Sequence, residues 1–292
     1  MPTAPVSVVT GANSGIGRAT AVHLASAGHT VYGTVRSVAK ADKLKAMSDV
    51  VGVEVRLVEL DVGDDESVRA GFGRILGDAG RVDHLVNNAG VGGNAVVEEC
   101  SAQLFLDVMN VDLCGATRCA QAVLPQMRER GSGTIVNVTS VAGRIGAIAQ
   151  APYVASKWAL EGVSEQMAQE LAPFGIRVAI IEPGVTKSAI FAKNIDTPNT
   201  TGAYDAQYRR MLQMYAAGLN HATDPIEVAE TILHAIETDQ PRLRYTVSWG
   251  GAELVEGRAR MTDEEWVAIG LAPDDAGYIR AFGDAFGLDI ST

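Results

Sequence analysis

Short β-branched runs alternate along this chain with longer stretches whose apolar residues recur at helical spacing. Residues 6–10, 30–35, 53–58, 82–86, 134–138, 177–181 and 243–248 are the runs, and each reads as a strand. Residues 18–27, 39–47 and 65–76 carry helical patterns between them, and 101–130 is long and mostly helical. Further helices are expected over 153–171, over 204–219, and from Asp224 and Pro225 to residue 236, where Asp224 is a cap and Pro225 a first-turn residue. Strands alternating with helices predict βαβ units. These build a parallel sheet with right-handed crossovers, helices on both faces, and ligands at the carboxyl ends of the strands. The expected architecture is α/β, one doubly wound domain spanning residues 1–292.

The strand ends carry the candidate chemistry. The first runs into Gly11, Ala12, Asn13, Ser14, Gly15, Ile16 and Gly17, and a helical pattern follows. Strand, glycine-rich turn and helix form a phosphate-binding arrangement, since glycines admit the pyrophosphate closely and the helix start offers free N–H groups. The spacing is GxxxGxG, and alone it reads equally well as a tight turn. The next three strand ends place Arg36, then Asp61 and Val62, then Asn88, Ala89 and Gly90 on the same edge. Asn110 lies inside a helical stretch, where asparagine is an indifferent former and surface exposure is its plain explanation. Ser140 ends the fifth strand, and Pro183 and Gly184 end the sixth.

Tyr153 and Lys157 are four residues apart in a predicted helix and therefore share a face. A cation beside a phenol favours its ionised form, so the pair is a candidate acid/base. Taken alone, the pair favours the plain reading, a half-buried tyrosine beside a snorkelling lysine.

Composition narrows the partners. A formal net charge of −11 and a pI near 4.9 argue against nucleic acid and anionic membrane surfaces, which need a basic footprint. Cys100, Cys114 and Cys119 form no CxxC pair and read as reduced small apolar residues, while the five histidines lack metal-ligand spacing, so no metal site is expected. No apolar run approaches the roughly 18 residues of a membrane span, and the first residues show no basic and apolar leader pattern. A cytoplasmic location is the expectation.

Thr10-Gly11-x-x-x-Gly15-x-Gly17, Asn87-Asn88-Ala89-Gly90, Asn110, Ser140, Tyr153-x-x-x-Lys157 and Pro183-Gly184, in that order, resemble the single-domain short-chain dehydrogenases/reductases. The resemblance covers about residues 6–188 and implies a Rossmann-type fold, a nicotinamide dinucleotide, and interconversion of an alcohol with a ketone or aldehyde. It implies that Tyr153 is the acid/base, that Lys157 assists it and contacts the nicotinamide ribose, and that Ser140 orients the substrate oxygen. By the same resemblance Asn110 anchors a water behind Lys157. Relatives usually have threonine where this chain has Ser188, so either Thr186 or Ser188 is left to contact the nicotinamide carboxamide. Acidic residues mark NAD-preferring relatives at the position of Val35, and Arg36 follows it here, so NADP(H) is the expected cofactor. Relatives also pair helices corresponding to 101–130 and 153–174, which implies a homo-oligomer, dimer or tetramer. The stretch from Val31 to Arg36 and the run from Ala159 to Gly175 look most like the steroid 17β-dehydrogenase and retinol dehydrogenase branches.

Past Ser188 the pattern fades. Residues 189–223 are expected to cover the substrate end, with Phe191, Tyr208, Met211, Leu212, Met214 and Tyr215 facing an apolar small molecule, although such a stripe is more often plain core than a binding wall. Residues 250–292 form a helical C-terminal extension without an assigned place, and Thr262 to Glu265 reads as a capping box. Two other functions fit the fold: a dinucleotide-sensing regulator without chemistry, and a sugar-nucleotide epimerase or dehydratase. An intact set of Ser140, Tyr153, Lys157 and Asn110 weighs against the first. Against the second stands the GxxxGxG spacing, where those enzymes have GxxGxxG.

Overall fold

The computed structural model describes residues 4–188 and 197–291. Its elements in chain order are β1 (Val6–Val9), α1 (Gly15–Ser26), β2 (Thr30–Val35), α2 (Asp42–Val51), β3 (Val55–Glu59), α3 (Asp65–Ala79) and β4 (His84–Asn87). Then come α4 (Ala102–Met109), a single turn of π-helix (Asn110–Cys114), α5 (Gly115–Arg130), β5 (Gly133–Val138), α6 (Ala151–Leu171) and β6 (Ile176–Pro183). The chain continues through α7 (Asp205–Asn220), α8 (Pro225–Glu237), β7 (Arg244–Val247), α9 (Gly251–Arg260), α10 (Asp263–Gly270) and α11 (Asp275–Phe286).

All seven strands pair in parallel in the order β3-β2-β1-β4-β5-β6-β7. The order reverses between β1 and β4. At that reversal the connections leave to opposite faces, opening a crevice at the carboxyl ends. Because both faces are covered, the strands read as continuous apolar runs. Phe72, Ile75, Val123, Met127 and Met167 from α3, α5 and α6 fill one side. Leu24, Leu44, Val228 and Ile232 from α1, α2 and α8 fill the other.

The stretch read as one long helix is interrupted: α4 ends at Met109, and one π turn precedes α5. The extension has its own apolar cluster, in which Leu254, Phe282, Phe286 and Ile290 pack with Ile145 and Ala217 of the preceding chain. Arg210 of α7 fastens it there. The Arg210 side chain is buried, its Nη2 donates to Ala272 O at 2.8 Å, its Nε pairs with Asp275 at 3.2 Å, and its guanidinium lies 4.8 Å from the Tyr278 ring centre. The capping box forms as expected, with Thr262 and Glu265 bonding each other's backbone N–H at 3.1 and 2.8 Å.

Candidate active site

One large cavity of about 1160 Å³ opens along the carboxyl edge of the sheet. Its glycine turn is shaped by backbone rather than by side chains. Gly11 and Gly15 have φ of +66° and +51°, the left-handed region that glycine enters without penalty. Gly17 lies just behind, where a β-carbon would stand 2.3 Å from Asn88 Nδ2 and 2.5 Å from Gly11 O. Asn88 Nδ2 donates to Thr10 O at 2.9 Å, and Thr10 Oγ1 accepts from the N–H groups of Asn88 and Ala89 at 3.0 Å each. The turn and the loop after β4 are therefore one braced unit.

Gly11, Asn13, Ser14, Gly15, Ile16, Arg36, Asp61, Val62, Asn88, Ala89 and Gly90 all line this cavity, as do Ser140, Tyr153, Lys157, Pro183, Gly184, Thr186 and Ser188. Gly17 and Asn110 do not. The residues present fit a dinucleotide. Buried Oδ1 of Asn13 has no partner among the described residues, α1 begins without a side-chain cap, and a β-carbon on the turn would clash. At the end of β2, Val35 is buried while Arg36 is exposed on the cavity rim and makes no ion pair among the described residues. Thr186 shares a hydrogen bond of 2.7 Å with Ser248, and the β-carbon of Ser188 lies 3.0 Å from where one on Gly15 would stand.

At the centre, Lys157 Nζ lies 5.5 Å from the Tyr153 ring centre. Both project from α6 one turn apart, as the i, i+4 spacing requires. Ser140 faces them from the end of β5, its Oγ accepting from Ala142 N at 3.1 Å and thereby fixing the turn that follows. Lys157 is only 4% exposed. Burial pulls its ammonium down, but Asp112, Tyr153 and Glu161 outweigh that and hold it above the ordinary lysine value.

The expectation for Asn110 needs correction. Its Nδ2 donates to Gly63 O at 3.0 Å, and its own carbonyl accepts from Arg118 Nη1 at 3.1 Å, both directed at the α3 and α5 side. The side chain against Lys157 is Asp112, with Oδ2 3.3 Å from Nζ. Residues two apart on a helix face nearly opposite sides, so 110 and 112 cannot share the role. Nothing local in the sequence sets Asp112 apart from Asp107 or Asn110 of the same stretch.

The substrate end also differs from the expected stripe. Met211, Met214 and Tyr215 line the cavity, but Tyr208 is core, packed with Val96 and Ala149, and Leu212 points outward. Phe191 lies outside the described residues. The remaining wall comes from the extension: Leu254, Trp266, Ile269, Tyr278 and Phe282 line the cavity beside Ile145. Among the described residues no group of His, Cys, Asp and Glu side chains could hold a metal, and no helix is long and apolar enough to cross a membrane.

The family model described as short chain dehydrogenase matches residues 5–199. The chain is a short-chain dehydrogenase. It is 38% identical over 253 residues to 17-beta-hydroxysteroid dehydrogenase type 1 of Mus musculus, covering 82% of this chain and 72% of that protein. A solved short-chain dehydrogenase from Streptomyces avermitilis superposes with a TM-score of 0.80 at 36% identity, covering 93% of this chain and 99% of the other. A metagenomic short-chain oxidoreductase in complex with NADP superposes with a TM-score of 0.67 at 26% identity, over 83% of this chain and 96% of the other. Similarity to the Streptomyces structure reaches past residue 199. The short-chain dehydrogenase fold therefore extends into the later helices.

Proposed function

We propose that this short-chain dehydrogenase interconverts a carbonyl and an alcohol on an apolar small molecule with NADP(H), using Tyr153 as acid/base. The observation that carries the reading is Lys157 held 5.5 Å from the Tyr153 ring with Ser140 across the same cavity. When bound, the nicotinamide supplies or accepts the hydride. The chain's own residues do the rest. Gly11, Asn13 and the start of α1 would hold the pyrophosphate, Asp61, Val62 and the loop from Asn88 to Gly90 would hold the adenine and ribose side, and Arg36 would meet a 2′-phosphate. Lys157 would bond the nicotinamide ribose, and Thr186 and Ser188 both stand where a hydroxyl could meet the carboxamide. In reduction Tyr153 gives its phenolic proton to the substrate oxygen while Ser140 donates to that oxygen, and in oxidation Tyr153 takes the proton back.

The apolar substrate follows from the wall that α7 and the extension build, with Met211, Met214, Trp266, Ile269 and Phe282 offering area and no charge. Similarity to an enzyme named for hydroxysteroids agrees with that chemistry. The same reading includes a homo-oligomer, since Leu106, Trp158 and Phe174 stand exposed on α4, on α6 and just beyond it. Light scattering would test that point, with a monomer at micromolar concentration against it.

The test of the activity is a panel of steroids, retinoids, aliphatic ketones and aldehydes with NADPH, run on wild type and Tyr153→Phe. Turnover on an apolar carbonyl that the variant loses almost wholly, with cofactor affinity kept, is the expected result. A Tyr153→Phe enzyme with a large share of wild-type kcat would overturn it.

A further inference from the structure

Around Lys157 the structure buries one charge that a tyrosine and lysine pair does not need. Asp112 is 1% exposed, and its carboxylate is almost fully engaged. Oδ1 accepts from Val91 N at 2.8 Å, and Oδ2 accepts from Ser156 Oγ at 3.1 Å while lying 3.3 Å from Lys157 Nζ. One side chain thus joins the π turn, α6 and the loop after β4 that lines the cavity. Lys157 Nζ also donates to the Val138 carbonyl at 3.5 Å.

That placement has an electrostatic consequence. An ammonium near a phenol favours loss of the phenolic proton, and an anion close behind the ammonium opposes it. We propose that Asp112 is the positioning residue and counter-ion of Lys157: it fixes the ammonium under Tyr153 and cancels part of the field that the ammonium exerts on the phenol. The proposal rests on reading Tyr153 as the acid/base. The ion pair also offsets part of the cost of burying the ammonium, alongside the smaller contribution of Glu161.

Other charges near the pair are accounted for. On α6, Glu161 is bonded to Thr139 and to Arg244, and from β6, Glu182 is paired with Arg144 and Arg244. Tyr215 of α7 bonds Asn94 at 2.9 Å, and burial raises its hydroxyl well above the ordinary tyrosine value. On α4, Asp107 bonds Gln103, and on α5, Arg118 pairs with Asp65. β5 and the loop from Asn88 to Asn94 carry no titratable side chain. Among the described residues, Asp112 is the carboxylate in direct contact with Lys157.

The experiment is a tyrosinate titration by ultraviolet absorbance of four proteins: wild type, Tyr153→Phe, Asp112→Asn, and the double variant. Each subtraction isolates Tyr153. In the Asp112→Asn background its midpoint should fall by about one pH unit, and the pH limb of alcohol oxidation should move with it. Asp112→Glu keeps the charge and should keep the midpoint. A midpoint that stays within about 0.3 unit or rises in Asp112→Asn, or one that falls as far in Asp112→Glu, would overturn the proposal. If circular dichroism shows that Asp112→Asn does not fold, Asp112→Ser makes the same comparison. Turnover retained in Tyr153→Phe would refute the catalytic reading instead, and the titration would still report on Asp112.

Discussion

Asn88 fills the space that a side chain on Gly17 would need, its Nδ2 2.3 Å from the position of a β-carbon there. The same nitrogen holds the Thr10 carbonyl at 2.9 Å, so it cannot withdraw without unlacing the glycine turn from the loop after β4. Gly17→Ala should therefore weaken dinucleotide binding by at least about tenfold, about 1.4 kcal/mol, and lower Tm together with it. Isothermal titration with NADP⁺ and a melting curve check this, and an unchanged Kd would show that the turn tolerates the displacement.

The extension is expected to act on substrate and not on cofactor. Trp266 of α10 lines the cavity, its ring edge-on to Phe286 at 6.2 Å and beneath Arg258 at 5.6 Å. Trp266→Ala removes apolar wall area, so KM for a bulky apolar carbonyl should rise roughly tenfold while that for a small ketone changes little. Cofactor Kd should stay within about twofold, because the change is confined to the substrate wall. Equal losses on large and small substrates would place Trp266 in a purely structural role.

Acid stability carries the signature of a histidine pair at the opposite edge of the sheet. His84 Nδ1 is buried without a partner among the described residues, and the His84 ring lies 5.5 Å from that of His29. Burial first, then the neighbouring His29, depresses His84 from 6.5 to about 4, and burial lowers His29 as well despite Glu237. The folded protein thus holds these rings neutral while the unfolded chain protonates them. Their contribution is full above pH 6.5 and is lost as pH falls through about 4, with His84 supplying up to about 3 kcal/mol. Urea unfolding at several pH values should show stability rising with pH across that window, and His84→Gln should flatten the rise. A slope unchanged in the variant would assign the effect to other groups.

Much of this was legible along the chain. Residues 30–35 and 134–138 pattern as strands because β-branched runs suit a sheet covered on both faces, and β2 and β5 form there. Gly11 and Arg36 could be placed because a parallel sheet sends every strand end to one edge. The identity of the residue behind Lys157 could not. Periodicity across residues 101–130 assumes one uninterrupted helix, whereas the π turn adds a residue and changes which side chains face α6. Tyr208 was misplaced for another reason: an apolar stripe shows which side is buried but not whether core or cavity buries it. The capping box at Thr262 to Glu265 was visible in the sequence, but the seat of the extension on Ile145 and Arg210 is a tertiary contact with no local signature.

Cofactor preference turns on two consecutive residues. Val35 ends β2 with its side chain buried, leaving no carboxylate there to accept the ribose hydroxyls or repel a 2′-phosphate. Arg36 follows with an exposed guanidinium on the cavity rim, free of ion pairs among the described residues, on a chain whose net charge is −11. A free planar fork of donors suits a phosphate. Glu59, paired across from Val35 in the sheet, has its carboxylate engaged with Val38 N at 3.3 Å. Hydrogen bonds to a charged group contribute about 1.5 to 3 kcal/mol, so Arg36→Ala should lower kcat/KM with NADPH by roughly ten- to a hundredfold. NADH efficiency should barely change, since that cofactor carries no group for the guanidinium to meet. Measuring kcat/KM for both cofactors in both proteins decides it: a wild type that prefers NADH, or a variant that loses both equally, would mean that Arg36 is a solvated surface residue and that the phosphate is recognised elsewhere or not at all.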